Sequence, residues 1–315
     1  MTKYFSAKIS IVIPIYNEEK NIALLYRVLN EVFKKIPQYE IEIIFVNDGS
    51  RDNSWKEIVK IAKKDNRIKA IIFSRNFGHQ IALTAGYDIA CGDAIISMDA
   101  DMQDPPRVIL QMLKKWEKGF EIVYARRINR KDGILKKITA KVYYTLLDNV
   151  SEVEMPRNVG DFRLIDKKVL LELKRCREKY RYLRGMVAWI GFKSGFINFK
   201  RPNRINGETA YTWKKMIKFA MDGFTGFSMF PLKIASYAGV FVVLTGVLMF
   251  LYVSYDFLLN DTPYPLYKWL VIMVYIFIGV QFVLMWLIGE YIGRIHDQQK
   301  ERPLYIIREK INCHE

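Results

Sequence analysis

The sequence is poor in several features that would assign it to a common class of protein. Its three cysteines, Cys91, Cys176 and Cys313, are scattered and odd in number, so neither a disulfide framework nor a zinc site is predicted. Residues 1–8 lack the pattern of a cleavable signal peptide, and the thiols are expected to be reduced in the cytoplasm. No Gly-x-Gly-x-x-Gly follows the first β-rich run and no Gly-Lys-Ser/Thr occurs there, which disfavours a Rossmann dehydrogenase and a P-loop nucleotidase.

Acidic residues are also comparatively few. The 315 residues include 49 Lys and Arg against 33 Asp and Glu, which gives a formal net charge of +16. Such a basic chain suits nucleic acid, anionic lipid or phosphorylated small molecules. Because the sequence has no helix-turn-helix pattern and no RNA-binding signature, nucleic acid is not expected as a partner.

Charge nearly disappears from two long segments near the C-terminus. Residues 234–259 are apolar apart from small or hydroxyl side chains and Asp256, and residues 269–288 have no charge and one amide, Gln281. About 20 apolar residues of helix span a bilayer core, so we predict a transmembrane hairpin over 233–292. Two buried helices of a soluble core are the alternative.

The distribution of cations predicts the orientation of this hairpin. Lysines and arginines precede the first apolar segment and follow the second, whereas the connector 260–268 carries a single cation, Lys268. The positive-inside rule then places both termini in the cytoplasm, in a protein that crosses the cell (inner) membrane twice. A homo-oligomer is expected, because two isolated spans would bury their polar groups better in one.

Residues 212–232, just before the hairpin, have an apolar stripe at helical spacing with lysines off the stripe. A basic amphipathic helix next to a span most simply lies in the membrane interface. Packing against the soluble domain is the alternative. The stripe consists of Trp213, Met216, Ile217, Ala220, Phe224 and Phe227.

The first two hundred residues alternate β-rich runs with helical patterns. Strands are predicted over 9–15, 41–46, 68–73 and 94–98, helices over 21–36, 52–64 and 80–90, and a further helix with Pro105 as its first residue. Repeated β-α-β units predict a mostly parallel sheet with helices on both faces. We therefore expect an α/β domain over 1–211 and a cytoplasmic tail over 293–315.

Polar segments follow three of the predicted strands. Residues 14–19 come after the first strand, residues 47–50 after the second, and Asp99 and Asp101 after the fourth. Because open α/β sheets bind ligands at the carboxyl ends of their strands, one ligand could touch all three segments. An aromatic ring such as Tyr16 suits a nucleoside, and two carboxylates one residue apart suit a hard divalent cation shared with substrate phosphates. A solvated turn is the alternative for the two carboxylates alone.

These segments resemble those of inverting GT-A nucleotide-sugar glycosyltransferases. The resemblance rests on Ile-Pro-Ile-Tyr-Asn-Glu (13–18), Val-Asn-Asp-Gly-Ser-Arg-Asp (46–52), Ser-Arg-Asn-Phe-Gly-His-Gln (74–80) and Asp-Ala-Asp-Met-Gln-Asp-Pro-Pro (99–106). Four further segments are similar to polyprenyl-phosphate glycosyltransferases, the group of bactoprenol glucosyltransferases and dolichyl-phosphate mannose synthase. They are Gly-Asp-Phe-Arg-Leu (160–164), Arg-Tyr-Leu-Arg-Gly (181–185), Arg-x-x-Gly-Glu-Thr (204–209) and Gly-Glu-Tyr-Ile-Gly-Arg-Ile (289–295). Ala210 departs from the family, which often has Lys there and so another phosphate contact.

The resemblance implies a GT-A (Rossmann-like) fold and a role for each matching residue. Asp99, Asp101 and Gln103 match the run that binds Mg²⁺ or Mn²⁺, and Arg163 and Arg204 are assigned to the acceptor phosphate. Asp161 matches the proposed catalytic base, and Asp101 is counted with it as catalytic. The second pKa of a phosphate monoester is about 6, so Asp161 could equally position an acceptor that is already anionic. The nucleotide-sugar site is assigned to Pro14, Tyr16, Glu18, Val46, Asp48, Asp99, Ala100 and Arg127.

The resemblance also implies a reaction. We expect transfer of a hexose, glucose from UDP-glucose, to undecaprenyl phosphate at the cytoplasmic face, with inversion, by an enzyme that contacts membrane lipids. A GDP-mannose-dependent polyprenyl-phosphate mannose synthase is the alternative. A processive polysaccharide synthase would need several spans and usually a Gln-x-x-Arg-Trp motif, neither of which is in the sequence. A non-catalytic membrane scaffold is disfavoured because the metal-binding run is intact.

Overall fold

Strands and helices alternate along the chain of the computed structural model. The structure describes residues 7–128, 156, 158–200 and 266–313, with seven further residues between 241 and 255. The strands are β1 (Lys8–Ile15), β2 (Glu40–Asn47), β3 (Ile68–Phe73), β4 (Ala94–Ser97), β5 (Ile122–Ile128), β6 (Val159–Asp166), β7 (Ser194–Lys200) and β8 (Ile307–Ile311). The helices are α1 (Glu19–Phe33), α2 (Ser54–Ala62), α3 (His79–Ile89), α4 (Val108–Trp116), α5 (Lys167–Arg175), α6 (Leu183–Trp189) and α7 (Leu266–Gln299).

The eight strands of the described residues belong to one sheet, in the order β7-β5-β6-β4-β1-β2-β3-β8. The four adjacent strands β4, β1, β2 and β3 are parallel, and β7 is parallel to β5. Strand β6 runs antiparallel to both β4 and β5, and β8 runs antiparallel to β3. The predicted α/β fold with a mostly parallel sheet is confirmed.

The hydrophobic core extends along strands β1 to β7. In β1 the side chains of Ile9, Ile11 and Ile13 on one face and of Ser10 and Val12 on the other are completely buried, so the strand is covered on both faces. Such a strand is expected to be mostly apolar rather than to alternate with polar residues. Because such strands are held firmly, the loops at their carboxyl ends have a rigid base.

The predicted start of α4 differs from the observed one. This helix begins at Val108, whereas Pro105 was predicted to be the first residue of the helix. Pro105 and Pro106 instead lie in a turn, where their carbonyls accept hydrogen bonds from the amides of Val108 and Ile109 at 3.0 Å. This turn lies between the carboxylates of residues 99–104 and the helix.

The C-terminal residues add an edge strand that was not predicted. Strand β8 extends the sheet next to β3, with Lys310 opposite Ile71. The indole N–H of Trp55 donates to the Glu309 carboxylate at 3.1 Å, and Tyr305 stacks on Phe73 with ring centroids 5.2 Å apart. The chain divides into two compact units, and Pro303–Glu315 belong to the same unit as Met1–Asp222.

The second unit, Gly223–Arg302, contains the long helix α7 of 34 residues. This helix includes the predicted second span, 269–288, although not all of its side chains are described. Among the residues that the structure describes, no helix is long and apolar enough to cross a membrane. The interfacial helix predicted over 212–232 and most of the first span, 234–259, lie outside the described residues. The hairpin therefore stays a prediction.

Candidate active site

The loops after β1 and β2 are joined by hydrogen bonds at the carboxyl edge of the sheet. The amide of Asn17 donates to the Ser50 hydroxyl at 3.0 Å, and the side-chain carbonyl of Asn17 accepts from the amide of Arg51 at 2.9 Å. The amide of Glu18 donates to the Ser54 hydroxyl at 2.9 Å. These two loops therefore converge, as their positions after parallel strands predict.

The residues predicted to bind the nucleoside differ in their exposure. Pro14 and Val46 are partners in the register of β1 and β2 and are buried, so they underlie the loops. The ring of Tyr16 is exposed and free to stack on a base, and Glu18 is half-buried. Contacts of these residues with a nucleotide stay a prediction.

The Asp48 carboxylate braces the loop after β3. It accepts hydrogen bonds from the amide of Phe77 at 2.6 Å and from the amide of Gly78 at 3.0 Å. Burial raises the pKa of Asp48 to about 6, in spite of these hydrogen bonds. Because both carboxylate oxygens accept from backbone amides, the structure assigns Asp48 a bracing role that the sequence analysis did not include.

Gly49 allows the loop after β2 to approach the loop after β3. Its φ is +64°, and a Cβ atom at this position would lie 2.5 Å from the carbonyl carbon of Arg75. A side chain here would be strained by the backbone conformation and blocked by the neighbouring backbone. The close approach of these two loops therefore requires glycine at position 49.

Asp99 and Asp101 lie in the loop after β4, as predicted. The amide of Asp99 donates to the Asp104 carboxylate at 3.1 Å, and the amide of Gln103 donates to the Asp101 carboxylate at 3.1 Å. The side chain of Asp99 is partly exposed, whereas Ala100, Asp101 and Asp104 are buried. The loop thus brings three carboxylates together beside the sheet edge.

This concentration of negative charge fits a divalent cation. Asp104 is 1% exposed, and its Oδ1 has no hydrogen-bond partner among the described residues. Burial, together with the charge of Asp99, raises the pKa of Asp104 to about 7. No three His, Cys, Asp or Glu side chains within the described ranges form a complete ligand set. Mg²⁺ needs none, because it commonly takes one or two carboxylates together with substrate phosphates.

Arg127 links the carboxylate loop to β6. Its guanidinium lies 3.9 Å from the Asp104 carboxylate. It also lies against Gly160, where a Cβ atom would come within 2.8 Å of its Nη2. This position beside the Asp99–Asp104 loop suits its predicted contact with the donor phosphates, which stays a prediction.

Asp161 is the centre of a second polar cluster, one strand away from the carboxylate loop. Its Oδ1 lies 2.6 Å from the Arg163 guanidinium, and its Oδ2 lies 3.1 Å from the Arg184 guanidinium. The side-chain amide of Gln80 also donates to Oδ2 at 3.1 Å. Burial opposes ionisation of Asp161, but the neighbouring charges and hydrogen bonds prevail and hold its pKa well below the ordinary value.

His79 connects the two clusters. Its Nε2 lies 3.6 Å from the Asp99 carboxylate and 3.5 Å from the Asp161 carboxylate. The carboxylates of Asp99 and Asp161 are therefore separated by a single imidazole ring. The structure brings the ends of β1, β2, β4 and β6 into one site, together with the first residues of α3.

Sequence reasoning gave no specific role to Gln80, Asp104 or Arg184. All three lie in segments that carried the family resemblance, and this position was the signal that could have marked them as functional residues. The family resemblance assigned Arg163 to the acceptor phosphate. In the structure this side chain is completely buried and also donates to the Leu183 carbonyl at 3.2 Å. A phosphate could reach Arg163 only if this packing changed. Arg204 lies outside the described residues.

Comparison with known proteins identifies the family of the chain. The model of "Glycosyl transferase family 2" matches residues 10–174. The chain is 47% identical to Uncharacterized glycosyltransferase YkcC of Bacillus subtilis, over 95% of this chain and 93% of that one. It is 38% identical to the Bactoprenol glucosyl transferase of Shigella phage SfV, over 96% and 98% of the two chains. A crystal structure of mannosyl-3-phosphoglycerate synthase from Rubrobacter xylanophilus is a distant structural neighbour, with 14% identity and a TM-score of 0.47 over 69% of this chain and 71% of that one.

Proposed function

The chain belongs to glycosyl transferase family 2, and from this premise we propose that it transfers glucose from UDP-glucose to undecaprenyl phosphate. The transfer inverts the configuration at the anomeric carbon and takes place at the cytoplasmic face of the membrane. The observation that carries this proposal is the 38% identity to a protein named Bactoprenol glucosyl transferase over 96% of the chain. The convergence of the Asp99–Asp104 loop and the polar cluster around Asp161 at one sheet edge supports it.

The donor would occupy the edge formed by the loops after β1, β2 and β4. Tyr16 offers an exposed ring for stacking on the base. Asp99, Asp101 and Gln103 would hold Mg²⁺ or Mn²⁺, which when bound offsets the charge of the donor diphosphate and of the departing nucleotide. Arg127 adds positive charge from the protein at the same loop, and such fixed charges act where negative charge develops.

The acceptor needs little help in losing a proton. The second pKa of a phosphate monoester is about 6, so at neutral pH the attacking oxygen is already largely anionic. Asp161 is engaged by two guanidinium groups and by Gln80, and its pKa lies well below the ordinary value as the charges around it outweigh its burial. We therefore assign Asp161 the role of positioning neighbouring side chains rather than that of a base.

The membrane part of the proposal rests on the sequence. The apolar segments 234–259 and 269–288 would form two spans, with the helix of 212–232 in the interface and both termini in the cytoplasm. This arrangement would hold the catalytic unit on the side of the membrane where nucleotide sugars are found. A homo-oligomer would cover polar groups of the spans.

A panel of donors tests the reaction. Membranes containing the protein are incubated with radiolabelled UDP-glucose, UDP-galactose, UDP-N-acetylglucosamine or GDP-mannose, and chloroform-soluble label is counted. We expect label from UDP-glucose above the level of membranes with Asp101→Asn protein. Lipid label from GDP-mannose instead would replace the proposed donor, and label in an insoluble polymer would indicate a processive synthase.

A further inference from the structure

Two arginines share the single carboxylate of Asp161. Arg163 is completely buried and lies 2.6 Å from Oδ1, whereas the Arg184 side chain is 25% exposed and lies 3.1 Å from Oδ2. In the cluster formed by Asp161, Arg163 and Arg184, the guanidinium of Arg184 is therefore the one that a ligand can reach.

The backbone that carries Arg184 is fixed relative to Asp161. The amide of Leu183 donates to the side-chain carbonyl of Gln80 at 3.1 Å, and the carbonyl of Leu183 accepts from Arg163 at 3.2 Å. Gln80 and Arg163 are the same two side chains that donate to the Asp161 carboxylate. The amide and the carbonyl of Leu183 are thus both held by side chains that also bind Asp161. The backbone next to Arg184 is therefore fixed relative to the Asp161 carboxylate.

This cluster is next to the donor side of the site. The imidazole of His79 lies 3.5 Å from Asp161 and 3.6 Å from Asp99. An anion that replaces part of the contact between Arg184 and Asp161 would lie beside the Asp99 loop. A planar guanidinium can bind a phosphate through two parallel hydrogen bonds.

We propose that Arg184 binds the phosphate group of the acceptor and that Asp161, Gln80 and Arg163 position it there. This inference rests on the proposed function. In the reaction, an oxygen of the acceptor phosphate dianion forms a bond to the anomeric carbon, and the bond from that carbon to the donor diphosphate breaks. The electron pair leaves with the nucleoside diphosphate, and the product keeps one negative charge on its phosphodiester. No proton transfer is required, which agrees with a positioning role for Asp161.

The test compares Arg184→Gln and Arg184→Lys with a matched control, Arg175→Gln. Arg175 has a largely exposed side chain, paired with Glu172, so its substitution removes the same charge away from the site. Initial rates are measured against undecaprenyl phosphate at saturating UDP-glucose and then against UDP-glucose at saturating acceptor. Binding of UDP is measured separately by calorimetry, and thermal unfolding is recorded for every variant.

For Arg184→Gln we expect the KM for undecaprenyl phosphate to rise by roughly 10-fold or more, because a hydrogen-bonded charge pair is lost. Arg184→Lys should give a smaller rise, since it keeps the charge but not the two parallel donors. The KM for UDP-glucose and the affinity for UDP should be those of the parent, and Arg175→Gln should resemble the parent throughout. If Arg184→Gln does not fold, the acceptor KM of Arg184→Lys tests the proposal alone: a rise supports it and an unchanged value overturns it.

Two different failures can be told apart. A parent that transfers sugar to undecaprenyl phosphate, with an unchanged acceptor KM in a folded Arg184 variant, overturns the role of Arg184 and leaves the proposed function standing. Weaker UDP binding with an unchanged acceptor KM also overturns it, because Arg184 would then act on the donor. A parent that transfers no sugar to undecaprenyl phosphate from any nucleotide sugar overturns the proposed function and this inference with it.

Discussion

The guanidinium of Arg163 lies 2.6 Å from the carboxylate of Asp161, and both side chains are buried. The positive charge of one is therefore balanced inside the protein by the negative charge of the other. Removing a single partner of a buried pair leaves an uncompensated charge, which is strongly destabilising. We conclude that this pair stabilises the part of the site where we propose that the acceptor phosphate binds.

The first prediction concerns the pH dependence of Asp161→Asn. Burial opposes ionisation, but the cations around Asp161 outweigh it and hold its pKa well below the ordinary value. A carboxylate with a depressed pKa stays ionised as pH rises from 6 to 8, so its stabilising effect is constant over that window and is lost only in strong acid. Per mole of folded protein, the activity deficit of Asp161→Asn relative to the parent should therefore be constant from pH 6 to pH 8 at saturating donor, with a raised acceptor KM.

The contrary result is equally specific. A general base is worth about 10²–10⁴-fold where the proton is hard to remove. If Asp161 were a base, the deficit would shrink as the acceptor phosphate loses its second proton. A decrease of about tenfold or more in the deficit between pH 6 and pH 8 would contradict the positioning role.

A second prediction concerns the carboxylate loop. Asp101→Asn should lower transfer by roughly 100-fold or more, because the substitution removes a charged ligand of the proposed metal. Folding should persist, since the side-chain carbonyl of the new Asn can still accept the hydrogen bond that the backbone amide of Gln103 donates to Asp101. The assay uses saturating Mn²⁺, and Glu31→Gln, an exposed residue paired with Lys34, is the charge-matched control. Near-normal turnover of a folded Asp101→Asn protein would remove Asp101 from the site.

The third prediction separates backbone strain from steric contact in the loop after β2. Gly49 and Gly119 both have a positive φ, but a Cβ atom at Gly49 would lie 2.5 Å from Arg75, whereas one at Gly119 would have no neighbour within 4 Å. Gly49→Ala should therefore lower the free energy of unfolding by roughly 2 kcal/mol more than Gly119→Ala does. Denaturant unfolding of both variants measures this difference, and equal losses would show that the contact between the two loops is unimportant.

A fourth prediction concerns topology. Cysteine placed at Thr262, in the predicted connector between the spans, should react with a membrane-impermeant maleimide in intact cells. The native Cys91 is exposed in the catalytic unit and should react only after lysis. Labelling of Cys91 from outside, without labelling at Thr262, would place the active site away from cytoplasmic nucleotide sugars.

The sequence predicted some elements closely and missed others for physical reasons. Strand β3 has the predicted bounds, 68–73, because buried parallel strands are short, apolar and bounded by polar residues. Strand β8 was missed, since its middle residues are charged and exposed and it is stabilised by pairing with β3, which is distant in the chain. Such pairing has no local signature.

The same distinction applies to the site. The convergence of Tyr16, Asp48 and Asp99 at one edge follows from parallel strand order and could be predicted. The burial of Arg163 could not, because it depends on Asp161 and Leu183 coming together in the folded chain. A charged residue in a family motif is readily assumed to contact substrate, whereas here it holds another residue of the motif.

The most direct test of the account uses purified protein, UDP-glucose labelled in the sugar, Mn²⁺ and added undecaprenyl phosphate, with undecaprenol as the matched acceptor without phosphate. We expect one glucose per lipid, with product formed from undecaprenyl phosphate but not from undecaprenol, and no product with the Asp101→Asn protein. Since UDP-glucose is an α-glycoside, inversion predicts a β-linked product, which the anomeric coupling in a proton NMR spectrum identifies. Equal transfer to undecaprenol, an α-linked product, or release of free glucose without a lipid product would contradict it.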